Sequence, residues 1–244
     1  MLETLLLAGF WASGQVPFEG AFDRRAAEAD LLLMVLSSLP ALLAGALLVS
    51  GDHEDGMTAF YRSCRLGPVG QVSGTGAALV LVLGGALAAS VVLSLGLTLP
   101  RVLLTASPWI TLGFALFSTA VHVAWGLFLG AASRSRLEAL AWALVFWVVT
   151  VFAAEALITA LVPLLPTRLG LPLLGFFLLT DPSELVRIAS VVARGQSWAY
   201  GPIFQEALQL WLTPRGTLAF TVVVASHLLA PLGAAVWFVG RRSR

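Results

Sequence analysis

Residues 77–98 read Ala-Ala-Leu-Val-Leu-Val-Leu-Gly-Gly-Ala-Leu-Ala-Ala-Ser-Val-Val-Leu-Ser-Leu-Gly-Leu-Thr. The stretch carries no charge, and its only polar side chains are hydroxyls. As an α-helix at ~1.5 Å per residue it reaches about 33 Å, enough to cross the roughly 30 Å hydrocarbon layer of a bilayer. A helix satisfies its own backbone N–H and C=O groups, which hydrocarbon cannot do. Four further stretches share this character: Leu31–Ser50, Ser107–Ala132, Ala139–Leu164 and Ala219–Gly240. A sixth, Leu2–Val16, would reach only about 22 Å. It lacks a basic leader and a clear small-x-small cleavage site, so it reads as a short first span, or one missing upstream residues, rather than a signal peptide. The expected fold is therefore an all-α polytopic membrane bundle of six transmembrane helices, one domain over residues 1–244.

The composition agrees. Of 244 residues, 59% are apolar and 11% charged, against about half and about a quarter in a soluble domain. That excludes a soluble enzyme and a disordered chain. The net charge of +1 offers no phosphate-seeking surface, so no nucleic acid is expected as a partner. All fourteen basic residues are Arg, and the single Cys64 permits neither an internal disulfide nor a Cys-based metal cage.

Six spans put both termini on one side, and short cytoplasmic loops concentrate Arg. With Gly51–Gly76, Ser133–Glu138 and Arg241–Arg244 inside, roughly 36 residues hold Arg62, Arg65, Arg134, Arg136, Arg241, Arg242 and Arg244. The opposite side spreads the other seven Arg over roughly 76 residues. Both termini are accordingly expected in the cytoplasm. The longest connection, residues 165–218, falls outside. Within it Thr180-Asp181-Pro182-Ser183-Glu184 reads as a helix start, with a capping residue, Pro in the first turn and acids near the positive end of the helix dipole. Leu185, Ile188, Val191 and Val192 follow on one face, Arg187 and Arg194 lie off it, and Gly195 stops the run. Leu171–Leu179 is too short to span, and Pro202–Leu212 can form another short helix. The expectation is an insertion of short amphipathic helices on the outer face, lying at the membrane surface or against a partner.

The common catalytic signatures are missing. No Lys exists to complete a phosphate-binding loop, and Gly74-Thr75-Gly76 is better read as the entry to a membrane helix. His53-Glu54 opens like a zinc-protease motif, but Met57 stands where the second His would be. No Gly-x-Ser-x-Gly elbow occurs. No metal, cofactor or catalytic residue is expected. Inside the spans, an ionisable group costs at least about 2.5 kcal/mol and needs a partner or a wet cavity. Glu155 and His227 fall at similar depth toward the outer side. They suit either hydrogen bonds between helices or the polar lining of an outward cavity. His122, at mid-depth, suits a satisfied interhelical hydrogen bond. Gly84, Gly85, Ala86, Ala88 and Ala89 form a small-residue face for close helix approach. Trp125, Trp142 and Trp147 read as packing residues, and Trp109 and Trp198 as interface anchors.

The most informative loop runs from Ser50 to Leu79. A charged turn, Asp52-His53-Glu54-Asp55-Gly56, leads into a short helix-capable run with Phe60, Tyr61, Arg62 and Arg65, then a Gly67-Pro68 break. Two aromatics beside charges at a membrane exit are what a small partner-facing helix needs.

Here the chain resembles the type-2 ABC exporter permeases. Glu54-Asp55-Gly56 matches that family's acid-x-Gly-Thr pattern, with Met57 in place of Thr and Thr58 one later, and Gly67-Pro68-Val69 matches its turn. The basic residue often found before the next span is replaced by Gly74 or Thr75, and the family's amino-terminal interfacial helix is absent. Together with Ala132-Ser133-Arg134-Ser135-Arg136 and Asp181-Pro182-Ser183-Glu184-Leu185-Val186-Arg187, the order is most similar to permeases of the nitrous-oxide reductase maturation (Nos-type) transporters.

The resemblance implies a non-catalytic subunit of the bacterial inner membrane, paired with a second copy and bound by a cytoplasmic ATPase. Glu54, Asp55, Gly56, Thr58, Phe60, Tyr61, Arg62 and Arg65 would couple to that ATPase, with Arg134 and Arg136 as a second contact. Asp181, Glu184, Leu185, Arg187 and Ile188 would meet a periplasmic partner. Two alternatives stand beside it: a proton-coupled secondary transporter or channel using Glu155 and His227, and an assembly scaffold without transport.

Overall fold

The computed structural model describes residues 24–98, 107–161, 164–193 and 213–242. The chain runs through α1 (Arg24–Glu54), α2 (Met57–Ser63), α3 (Pro68–Thr98), α4 (Ser107–Ala132) and α5 (Arg136–Val148). A π-helical turn at Val149–Ala153 joins α5 to α6 (Ala154–Leu161); α7 (Thr167–Thr180), α8 (Pro182–Ala193) and α9 (Pro214–Arg242) complete it. No strand occurs among the described residues. Five helices are long and apolar enough to cross a membrane: α1, α3, α4, α5 with its π turn, and α9. The fold is that of a multi-pass α-helical membrane protein. The expected first span, Leu2–Val16, lies outside the described residues, as do Pro202–Leu212 and Trp198.

Two expected elements differ. The stretch Ala139–Leu164 is not one regular helix. Thr150 turns its hydroxyl back onto the carbonyls of Phe146 (3.0 Å) and Trp147 (3.3 Å) where the ladder widens into the π turn. The second difference is larger. Leu171–Leu179 lies inside α7, and α7 and α8 meet at a 98° bend, the geometry of a broken span or a re-entrant loop.

Helix α4 is the hub. Val123, Leu127 and Ala131 pack with Ala41 and Val49 of α1, Val72 and Leu79 of α3, and Ala235 and Val239 of α9. Toward the other end, Leu112 and Ala115 meet Leu33, Leu87, Val91 and Leu95. Leucines on the outside of α3, such as Leu81 and Leu97, stay uncovered, as lipid-facing residues do. The closest approach is between α1 and α4. A methyl added at Gly126 would lie 2.3 Å from the Leu42 carbonyl oxygen, and one at Gly130 2.3 Å from that of Ala46. Gly126 and Gly130 form a Gly-x-x-x-Gly face whose missing side chains let two backbones touch. The expected small-residue face on α3 contributes less: Gly84 meets one Leu116 methyl, and Gly85 faces open space.

Candidate functional site

The three Arg-rich connections come together at one end of the bundle, as the topology requires. Helix α1 ends in a turn with Asp55 N–H donating to the Gly51 carbonyl (2.9 Å). Gly56 follows at φ 73°, left-handed backbone that suits glycine, and reverses the chain directly into α2. A Cβ there costs roughly 1–2 kcal/mol. Gly56→Val is accordingly expected to lower the melting temperature by a few degrees and Gly56→Asn by less, because Asn tolerates this region; a thermal melt in detergent reads both.

Glu54 and Asp55 do not face an outside partner alone. Arg136 donates its backbone N–H to Glu54 Oε1 (2.8 Å), places Nε 3.4 Å from Glu54 Oε2, and bonds Asp55 Oδ2 through Nη2. Helix α5 is therefore clipped to the end of α1. Its start is fixed by Ser135, whose hydroxyl accepts from Glu138 N–H (3.2 Å), while Glu138 Oε2 accepts from Arg134 N–H (2.7 Å). Arg242, at the end of α9, donates to the carbonyls of Ala132 (2.9 Å) and Ser133, capping α4. Asp52 accepts from Gln71 at the start of α3 (3.4 Å) and from Tyr61. Burial and that neighbouring carboxylate hold the Tyr61 phenol above its ordinary pKa, so it stays a donor.

Helix α2 itself has no buried side chain. Phe60 is 57% exposed, and Arg62 and Arg65 are exposed. Thr58 and Tyr61 are partly covered, and Arg134 is exposed on the adjacent turn.

The second polar constellation sits at the α7–α8 bend. His122 of α4 is fully buried. Its Nδ1 lies 2.8 Å from the Ser118 carbonyl, which can only accept, so Nδ1 donates. Nε2 then accepts from the Ser183 hydroxyl of α8 (3.3 Å). The expected interhelical hydrogen bond of His122 is present. The cap of α8 is also as expected: Asp181 Oδ1 accepts from the N–H groups of Ser183 (2.8 Å) and Glu184 (3.3 Å), with Pro182 next.

The expected outward face is not. Asp181 (4% exposed), Glu184 (7%), Leu185 (2%) and Ile188 (3%) are buried within the chain. Only Arg187 is partly exposed, and it pairs with Glu184 Oε2 at 2.8 Å. Of the expected apolar stripe, Leu185 and Ile188 are seen, whereas the side chains of Val191 and Val192, with Arg194 and Gly195, lie outside the described residues. These two residues cover the bundle itself, where α8 packs on α4.

His227 is buried on α9, its ring 6.4 Å from that of Trp125, which stacks on Phe146 at 4.8 Å. The Glu155 side chain lies outside the described residues. Trp147 packs edge-on against Phe152 and donates Nε1–H to the Ser38 hydroxyl (2.9 Å). Trp109 and Trp142 are about half exposed. Sequence reasoning missed two features with readable signals: the Ser135 cap with Glu138 three residues on, and Gly126-x-x-x-Gly130.

No protein-family model matches the chain, and no curated protein matches it. Fold and site thus define a class, a multi-pass helical membrane protein with a polar end-plate and a buried polar bend.

Proposed function

We propose that the chain is the non-catalytic permease subunit of an ATP-driven type-2 ABC exporter. Two copies pair in the bacterial inner membrane, with α2 and both termini in the cytoplasm. The observation that carries the reading is α2, seven residues long with no buried side chain, joined to α1 and α3 by hydrogen-bonded turns and tied to α1 by the Tyr61–Asp52 hydrogen bond. So short a helix is not stable in water on its own propensity. A chain that spends hydrogen bonds to hold an uncovered Phe60 beside Arg62 and Arg65 presents the residue types that dominate protein–protein contacts. A cytoplasmic ATPase gripping α2 would move α1 and α3 together, and through Arg136 also α5. Hydrolysis stays on the ATPase. Within this class the loops favour the Nos-type systems, in which the motion would serve a periplasmic partner or a sulfur-containing or lipid-like cargo. Any such partner must read residues other than the buried Asp181, Glu184, Leu185 and Ile188.

The test is co-purification with a co-expressed cytoplasmic ABC ATPase subunit. Replacing Phe60, Tyr61 and Arg62 together by Ala is expected to leave a folded permease that no longer retains the ATPase or stimulates its hydrolysis. Retention with unchanged hydrolysis defeats the proposal. Flux into liposomes driven by a pH gradient alone, and lost in Glu155→Gln, would favour the secondary transporter instead.

A further inference from the structure

We infer that Asp181, at the bend between α7 and α8, is a buried proton-binding site that seats this hairpin in the bundle.

Depth comes first. His122 stands fifteen residues from the start of α4 and ten from its end, about 22 Å and 15 Å along the helix. Ser183 touches it, so the bend lies near the middle of the bundle. The charge tally comes next. Glu184 and Arg187 offset one another. His122 is engaged at both ring nitrogens, by the Ser118 carbonyl and the Ser183 hydroxyl. Asp181 remains. Its Oδ1 is used by two backbone N–H groups, but Oδ2 has under 1 Å² of accessible surface and no hydrogen-bond partner among the described residues.

The partial positive end of α8 compensates an ionised Asp181 only in part. Among the described side chains, the helices packed on α8 add few ionisable groups. Helix α4 contributes His122, α9 His227 between terminal arginines, α7 Arg168 near its start, and α1 the groups at its α2 end, while the side chains of Arg24, Arg25, Glu28 and Asp30 at its other end lie outside the described residues. The π turn carries none.

One open oxygen selects the ligand. A metal cation needs several oxygen donors, and an enclosed atom leaves no opening for an amine. A proton needs neither. Taken from water onto Oδ2, it neutralises the group and leaves the Oδ1 cap intact. Its loss puts a bare charge in a low-dielectric setting, which the bend relieves by drawing in water and loosening from α4.

Infrared spectra of the protein in lipid nanodiscs decide the matter. The wild type at neutral pH is expected to show a protonated-carboxyl band that moves on 13C-aspartate labelling and is missing in Asp181→Asn. Because the proton seats the hairpin, wild-type melting temperature should fall as that proton is lost with rising pH, while Asp181→Asn stays flatter. A wild type without a label-sensitive band overturns the inference. So does a melting profile whose pH dependence is the same in both proteins. If Asp181→Asn does not fold, the labelled wild type still gives the answer.

Discussion

Gly126→Leu and Gly130→Leu should each yield no folded protein, and Gly126→Ala a protein that melts many degrees lower. The alanine methyl at 126 would sit 2.3 Å from the Leu42 carbonyl oxygen, 3.0 Å from its carbon and 3.1 Å from the Ala46 nitrogen. All three are backbone atoms, so no side-chain rotation relieves the clash, and α1 must slide off α4. Overpacking of a core typically costs about 1–3 kcal/mol when side chains can give way. Here none can, and the seam forced open is the one on which the core of α1, α3, α4 and α9 is assembled. Against a total stability of roughly 5–15 kcal/mol, that is decisive. Gly85→Ala is the control. Its methyl meets nothing within 4 Å, and alanine is the better helix former by about 1 kcal/mol. Yield after detergent extraction, size-exclusion profile and thermal melt read the series. Equal behaviour of Gly126→Ala and Gly85→Ala would mean that α1 and α4 do not touch in this way.

Arg136→Glu is expected to divide stability from coupling. The side chain is about half exposed, as is Asp55, and Glu54 about a third. Exposed ion pairs contribute about 0–1 kcal/mol, so the melting temperature should move by only a few degrees. Yet the substitution sets a third carboxylate against two and unclips α5 from the turn that carries α2. If an ATPase works on α2, its permease-stimulated hydrolysis should fall by on the order of tenfold, equivalent to about 1.4 kcal/mol of coupling. The reversed arrangement, Glu54→Arg with Asp55→Arg and Arg136→Glu, should recover most of it. Hydrolysis unchanged in the single variant, or unrecovered in the triple one, would separate the clip from the coupling path.

The long apolar runs made the membrane helices legible, since 20 residues without charge have no better place than hydrocarbon. Four of the five long spans appear near their expected positions, and Ser107–Ala132 has the same ends. The charged turn and the short run after it were legible as α2, and the cap at Asp181 as the start of α8. The break after Val148 was not, because the apolar run continues through the π turn without a Pro, Gly or charge to mark it. The partner of Arg136 was not either, being eighty-odd residues away.

By itself, then, the sequence determined where the long apolar helices lie and that they belong in a membrane. Those properties follow from local periodicity, capping and the cost of charge in lipid. Only the tertiary structure decided which way the apolar stripe of α8 points. A stripe states that it must be covered, not by what, and here α4 supplies the cover. That choice turned Asp181, Glu184, Leu185 and Ile188 from a surface offered to others into the inside of the bundle, and left an acid at mid-depth with one oxygen unmatched.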